Sequence, residues 1–431
     1  MFYIIEKSEQ LAQLDFDDCF VRFIPLNDNY HPALTELSLV YVRPLDSKKG
    51  YILCINHNES FSLDKNEVES FLLSRTKKLW TLDKKDALHW FPHNDKLFDA
   101  HLLDFVDLTE ALGNNCISYY YNNYKDLPNV NCLIPISKHY EESEAIFNTT
   151  LPTIRKYTLT NTQFQFQNFR TAYVFYQIEK NGVKVDKNCF IDYYNNKIQH
   201  PQYNLHKGKI YTQYNLHTTT TRPSNTCNSI NFAALDKSDG ERNCYKPEFD
   251  KFVELDFQGY HPRLIGELVG FEFPKDRNTY EVLGEVLGVS QQEAKELTFK
   301  QLYGGVWAEY KNKPFFSKVD AFIDGMWDTY QYGNSYSTTN KIFIRGDESI
   351  TRNKLFNYII QSTETSTNVE LLELVFNYLS GKKTKLVLYT YDAFLFDYCE
   401  EDGNIFADIA QILQYPVSIK QGKTYHGLEK L

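Results

Sequence analysis

The stretch QQEAKELTFKQLYGG (291–305) decides how this chain is read. Ser290 ahead of it and Glu293 inside it make a capping-box pattern, and Gly304-Gly305 stop it, so it predicts a helix. Lys295, Phe299 and Tyr303 recur at every fourth residue, which puts an ammonium, a ring and a phenol on one stripe. Aromatic pairs at this spacing are most often core. Here the lysine shares the stripe and the glycines follow at once, which points to a surface facing a ligand. The N-terminus of a helix attracts phosphates, Lys295 adds a full charge, and the rings offer a flat face for a base or sugar. The ligand implied is a nucleoside triphosphate.

The rest of the chain sets the context. It has 431 residues, 42% hydrophobic and 24% charged, a globular balance with length for two or three domains. It holds no apolar run of about 18 residues, so neither a transmembrane helix nor a membrane partner is expected. The opening MFYIIEKSEQLAQ turns polar at once, unlike a secretory signal. Eight cysteines are scattered without a CxxC pair, which predicts free thiols in a reducing, cytoplasmic setting. A net charge of −10 and a pI of about 5.6 argue against a uniformly basic nucleic-acid binder. Residues 187–222 are the local exception: Lys187, Lys197, Lys207, Lys209 and Arg222 stand against one acid, Asp192, among tyrosines and histidines. That interleaving suits a phosphate backbone with exposed bases, and it equally describes a solvated loop.

The N-terminal part alternates strand-like LSLVYVRPL and GYILCINH with helical NEVESFLLSRTKKL, an α/β or α+β pattern. QFQNFRTAYVFYQIEK (165–180) reads as a helix followed by a turn and a strand, and residues 351–381 as one long helix. In KFVELDFQGY (251–260) Asp256 interrupts an apolar strand. In KLVLYTYDAFLFDY (385–398) Asp392 sits where two apolar strands hinge. A single aspartate of this kind is usually a turn or structural acceptor. Two, each at the tip of a buried strand, suggest converging carboxylates that hold a divalent cation, with Mg²⁺ the usual choice beside phosphates.

These segments resemble, in order and spacing, the polymerase domain of family A DNA polymerases, the DNA polymerase I type, especially short phage versions. The resemblance runs from about residue 165 to the end. VELDFQGYHPRLIGEL (253–268) is similar to the first palm motif, with Asp256 as a metal ligand and Arg263 as its closing arginine. KELTFKQLYGG (295–305) resembles the fingers helix and NYIIQSTETSTN (357–368) the helix whose Asn357 and Gln361 probe the minor groove. YTYDAFLFDY (389–398) resembles the last palm motif, with Asp392 as the second metal ligand. TTTTRPSNTCNSIN (218–231) is similar to the segment placing Arg222 on the primer strand and Asn231 near the template, and the tail from Tyr415 resembles the usual ending.

The resemblance implies a template-directed DNA polymerase with two Mg²⁺ ions on Asp256 and Asp392, primer-template DNA and dNTPs as partners, and nucleotidyl transfer as the reaction. It implies that Lys295, Phe299, Tyr303, Gln291 and His261 bind the nucleotide, with Lys295 also catalytic. DNA contacts would come from Arg222, Asn231, Arg263, Tyr303, Gly304, Asn357 and Gln361. Departures are visible. His261 stands at the steric gate against ribonucleotides, where a glutamate is usual. Gln291 and Asn353 stand at expected arginines, and Tyr391 and Ala393 replace a histidine and an acid beside Asp392. The link between Phe190 and Lys207 is too short for a full thumb, which implies weak DNA retention or a processivity partner.

The implied architecture is α/β (α+β): a degenerate ribonuclease H-like, 3′–5′ exonuclease-like domain (1–155), a linker helix with vestigial thumb (156–210), palm (211–270), fingers (271–342) and palm again (343–431). LDKKDALHWF (82–91) is similar to the second exonuclease motif, with Asp86 at its acid. YEESEA (140–145) is similar to the third, with Tyr140 and Glu144. FIPLN (23–27), at the first, has no carboxylate, so proofreading is expected to be absent. The competing readings are a non-catalytic DNA-binding replication accessory and a single-subunit RNA polymerase-like enzyme.

Overall fold

The computed structural model describes residues 2–27, 31–92, 95–103, 108, 111–112, 130–158, 163–194, 205–225, 229–238, 240–333, 335–337, 343–345 and 349–431. The chain divides into two compact units. One comprises Met1–Gly182, His200–His217 and Asn225–Ile230; the other comprises Val183–Gln199, Thr218–Ser224 and Asn231–Leu431.

The first unit is built on β1 (Phe2–Ile5), β2 (Asp18–Pro25), β3 (Leu37–Pro44), β4 (Gly50–Cys54), β5 (Lys78–Thr81) and β6 (Leu97–Asp99), in the order β1-β4-β3-β2-β5-β6. Strands β2, β3 and β4 form an antiparallel meander. Strands β5 and β6 continue parallel to β2, and β1 lies parallel to β4. Both faces of this sheet are covered, which explains why LSLVYVRP lacks polar alternation. On one face Val40 and Val42 pack with Val68 and Leu72 of α1 (Lys65–Arg75) and Leu88 of α2 (Lys84–Trp90). On the other, Leu39 and Tyr41 pack with Ile146, Phe147 and Ile154 of α3 (Ile136–Thr158). Helix α4 (Gln163–Glu179) ends on Glu179, a fully buried carboxylate.

In the second unit α5 (Lys187–Tyr194) is joined to the turn Glu241–Cys244 by a Cys189–Cys244 disulfide, with Cα atoms 5.2 Å apart. This corrects the expectation of free thiols for that pair. The two cysteines are 55 residues apart, so no local spacing announces them. Cys19, Cys54 and Cys399 are free and buried. Residues 195–204, the middle of the short link expected in place of a thumb, lie outside the described residues, as does Lys197.

The unit's sheet is antiparallel throughout. Strands β7 (Lys251–Phe257), β8 (Lys385–Tyr389), β9 (Ala393–Tyr398), β10 (Val417–Gly422) and β11 (Glu429–Lys430) stand in the order β8-β9-β7-β10-β11. Between β7 and β8 the chain forms α6 (Tyr260–Val269), α7 (Thr279–Leu287), α8 (Gln291–Gly304), α9 (Pro314–Gly333) and α10 (Arg352–Leu379). Leu283 of α7, Ala294 and Leu302 of α8, Phe315 and Val319 of α9, and Leu355, Phe356 and Ile359 of α10 share one core. Helix α8 starts as its sequence predicts, with the Ser290 side chain accepting from the Glu293 amide and Glu293 reaching back to the Ser290 amide.

Between β7 and α6 the chain reverses at Gly259, in the left-handed region at φ +61. A Cβ there would lie 1.7 Å from Thr279 Oγ1. The left-handed backbone alone costs an L residue about 1–2 kcal/mol, and the clash adds to it. Gly259→Ala is therefore expected to lower the urea midpoint by at least that amount. An unchanged midpoint would show that α6 is not seated by this contact.

Candidate active site

Register brings the two aspartates together. Asp256 is paired across to Ala393 of β9, and the next residue of β7, Phe257, donates its amide to the Asp392 carbonyl at 2.9 Å. Asp392 occupies the second position of the two-residue turn between β8 and β9. Tyr391, the first position, has φ +68, a conformation hairpins normally reserve for glycine. Buried Asn368 of α10 holds this strained turn, donating to the Tyr391 carbonyl at 2.9 Å and to the Tyr389 hydroxyl at 3.0 Å.

The electrostatics around Asp392 are those of a site short of positive charge. Asp392 is exposed at the turn, yet partial desolvation by the surrounding protein pushes its carboxyl up, and the negative charges of Asp256 and Glu364 push it further. Asp256 is compensated by a residue that sequence reasoning missed. Lys420 of β10 lies 2.7 Å from Asp256 Oδ2 and 3.0 Å from Glu254 Oε1. Burial would lower the Lys420 ammonium, but its bond to Asp256 and the charge of Glu254 outweigh that and raise it. Two neighbouring carboxylates, one on a strand and one at the adjoining turn, the latter raised by desolvation and repulsion, are a donor set that fits a divalent cation.

The Lys-Phe-Tyr stripe is present on α8. Phe299 and Tyr303 stack at 5.7 Å between centroids and 11° between planes, and both Lys295 and Phe299 are exposed. Tyr280 of α7 extends the track, 6.3 Å from Phe299 and 5.9 Å from the Lys295 ammonium. Burial first, and the charge of Asp392 second, push the Tyr280 phenol up to about 12. The aromatic track and the carboxylates therefore share one electrostatic environment. Gln291, the first residue of α8, is exposed at the opposite end of that helix.

Glu364 is the second residue the sequence reading passed over. It is 1% exposed in the middle of α10, on the stripe Asn357, Gln361, Glu364, Asn368. Its carboxylate lies 3.0 Å from His261 Nε2 and 3.0 Å from Arg222 Nε. Arg222 in turn sits over the Tyr391 ring, 3.7 Å from its centroid. His261 bonds through Nδ1 to the Tyr303 hydroxyl. Burial, then the charge of Glu364, raise the Tyr303 phenol. Gln361 accepts from Thr220 at 3.2 Å, and Asn357 Oδ1 is buried without a protein partner among the described residues.

Three further residues singled out by the resemblance are placed as follows. Arg263, read as a DNA contact, is buried and donates to the carbonyls of Gln258, Pro274 and Arg277, so it ties the loop after α6. Asn353, at an expected arginine, donates to the Gly304 carbonyl at 2.9 Å and joins the start of α10 to the end of α8. Asn231 lies exposed before the turn Phe232–Ala234.

The expected exonuclease acids sit in separate surroundings of the first unit. Asp86 pairs with Lys85, while Glu144 accepts from Arg43 Nε at 2.8 Å and from the Tyr41 hydroxyl. The third-motif tyrosine, Tyr140, is pushed up to about 12 by burial and then by its bond to Glu144. Arg22, on the strand that holds the first motif position, pairs with Glu142 at 2.6 Å. His31, His89 and Glu179 present ligand atoms within 4.8 Å of one another. The Lys85 ammonium, 3.1 Å from the same carboxylate, already supplies the positive charge a metal would bring.

The POL domain of Pol1 from M. smegmatis, solved in complex with DNA primer-template and dNTP, matches this chain with a TM-score of 0.68. The match covers 99% of each chain at 13% sequence identity, and at that identity it establishes a shared fold. No family model and no curated protein matches the sequence. Among the described residues no helix is long and apolar enough to cross a membrane.

Proposed function

We propose that this chain is a template-directed DNA polymerase of the DNA polymerase I type, extending a primer with dNTPs. The observation that carries the reading is the adjacency of Asp256 and Asp392 at the tips of neighbouring strands, with an exposed lysine-aromatic track in the same electrostatic field. Support also comes from the shared fold, since the matching POL domain holds primer-template and dNTP.

Asp256 and Asp392 would hold divalent cations, Mg²⁺ being the natural choice; when bound, these supply Lewis-acid stabilisation of phosphoryl transfer. The chain's own groups then orient the substrate. Lys295 offers charge to the phosphates, and Phe299 and Tyr303 a stacking face. Asn357 Oδ1, buried and unpartnered, offers an acceptor to a base edge. Arg222, held by Glu364 and Tyr391, is placed for the primer strand, and a partner protein would supply retention on DNA. A pure DNA-binding accessory has no use for two carboxylates set against each other, because their repulsion costs stability.

The test is extension of a primed template. Incorporation of dNTPs that depends on template and divalent cation, with much weaker use of rNTPs, is the expected result. Preference for rNTPs would select the RNA polymerase reading, and no incorporation with partners added would select the accessory.

The antiparallel meander with two parallel strands in the first unit supports a ribonuclease H-like domain. Each of its motif-position acids is engaged by a basic side chain, as is neighbouring Glu142, which supports loss of proofreading. A 3′-labelled single strand is expected to keep its terminal nucleotide over the time in which the enzyme extends a primer fully. Release of the label at a comparable rate would overturn this.

A further inference from the structure

We infer that Glu364 is a positioning residue for sugar discrimination: it fixes the tautomer of His261 and, through His261, the phenol of Tyr303. The inference rests on reading the cleft as a nucleotide slot. Its grounds are three contacts on three separate elements. Glu364 accepts from His261 Nε2 at 3.0 Å, His261 Nδ1 meets the Tyr303 hydroxyl, and Tyr303 stacks on Phe299.

A carboxylate can only accept, so the His261 hydrogen must sit on Nε2. That leaves Nδ1 as the acceptor for the Tyr303 O–H. Both ring nitrogens and the phenol are then committed. A free histidine could donate to a 2′-hydroxyl and welcome a ribonucleotide. This one presents ring carbons, and the single O–H of the phenol is spent on Nδ1, so the extra hydroxyl finds no donor. Glu364 is held in turn by Arg222, whose guanidinium covers Tyr391 and brings a positive charge to the buried carboxylate.

Two readouts test this. In ¹⁵N-histidine NMR the full-length wild type is expected to show His261, assigned by its loss in His261→Ala, with its proton on Nε2. Glu364→Gln, which keeps an acceptor, retains that signature, and Glu364→Leu loses it. In single-turnover extension the ratio of dNTP to rNTP kcat/KM is expected to fall roughly ten- to a hundredfold in Glu364→Leu, the span open to a site that must reject one added hydroxyl. Glu364→Gln keeps the wild-type ratio to within about threefold, a shift worth under 1 kcal/mol. Adding Glu364→Leu to His261→Ala lowers the ratio no further.

The inference is overturned if Glu364→Leu melts earlier yet discriminates as wild type does, which marks a merely structural carboxylate. It is also overturned if Arg222→Met moves the ratio as far as Glu364→Leu, since the carboxylate would then act through Arg222. If Glu364→Leu does not fold, Glu364→Gln and Arg222→Met decide the matter. If the wild type incorporates no nucleotide yet shows the pinned tautomer, the positioning stands and the polymerase reading is what has failed.

Discussion

Asp392→Asn is expected to abolish nucleotide incorporation, by about 10³-fold or more, while leaving the protein as stable as before or slightly more so. Both halves follow from one feature. Asp392 is exposed at its turn, yet the protein around it partly desolvates its carboxyl and the charges of Asp256 and Glu364 repel it, so its charge works against the fold. Asparagine removes that repulsion in the same volume. On the proposed reading it also removes a ligand for the cations, whose Lewis-acid contribution would be worth several kcal/mol, with each 1.36 kcal/mol a factor of ten in rate.

Asp397, five residues on, is the control. It is 3% exposed and accepts from the amides of Glu248 and Phe249 at 2.7 and 3.0 Å. Asp397→Asn loses acceptor capacity for one of those amides, costs about 1–3 kcal/mol of stability, and leaves the chemistry in place. Primer-extension rates and urea midpoints for the two variants therefore move in crossed directions. An Asp392→Asn protein that extends primers at the wild-type rate removes the catalytic assignment.

Glu179→Ala is expected to cause the largest loss of stability, about 3–5 kcal/mol in the first unit. Glu179 is fully buried and lies 3.1 Å from Lys85 Nζ and 3.0 Å from His89 Nε2; it also accepts from the Tyr214 amide. Lys85 is itself 2% exposed, so truncation leaves a buried ammonium with only Asp86 beside it. Removing one partner of a buried pair carries a penalty of that size. Burial pushes the Glu179 carboxyl up, but Lys85 and the two histidines outweigh burial and hold it far below its usual 4.5.

The sign for pH follows. The unfolded carboxyl titrates near its usual value and the folded one much lower. Glu179 thus contributes fully above that value and progressively less as pH falls below it. Glu179→Gln keeps the shape, costs less, and flattens this part of the acid limb. Urea midpoints of the first unit at pH 7 and pH 4 check both points. A Glu179→Ala variant within about 1 kcal/mol of wild type would mean that Lys85 is satisfied by Asp86 alone.

Much of the candidate site was legible because its signals are local. The Lys-Phe-Tyr stripe needs only the helical period, and the capping box and the two glycines fix where that helix begins and ends. Asp256 and Asp392 stand out because each is a charge inside an apolar strand. The lack of a carboxylate in FIPLN was legible too. The arginines that answer Glu142 and Glu144 were not, because Arg22 and Arg43 reach them from more than 100 residues away.

Arg263 shows the limit of spacing from the other side. Its position in the motif suggested an outward role, and its burial among three carbonyls appears only when the loop to α7 has folded over it. Glu364 looked like one more polar residue in QSTETSTN, and Lys420 like an ordinary cation near the end of the chain. Neither can be read without its partner.

What the sequence by itself determined is each element and the order of the chemical residues along it: where helices start and stop, which strands are apolar, and which charges interrupt them. Periodicity and capping act over a few residues, so neighbouring positions suffice. Only the tertiary structure decided which charges neutralise one another. Lys420 meets Asp256 across 164 residues, Glu364 joins Arg222 to His261, and Cys189 bonds Cys244 across 55. Electrostatic pairing depends on distance and burial in space, and those exist only once remote strands have found their register.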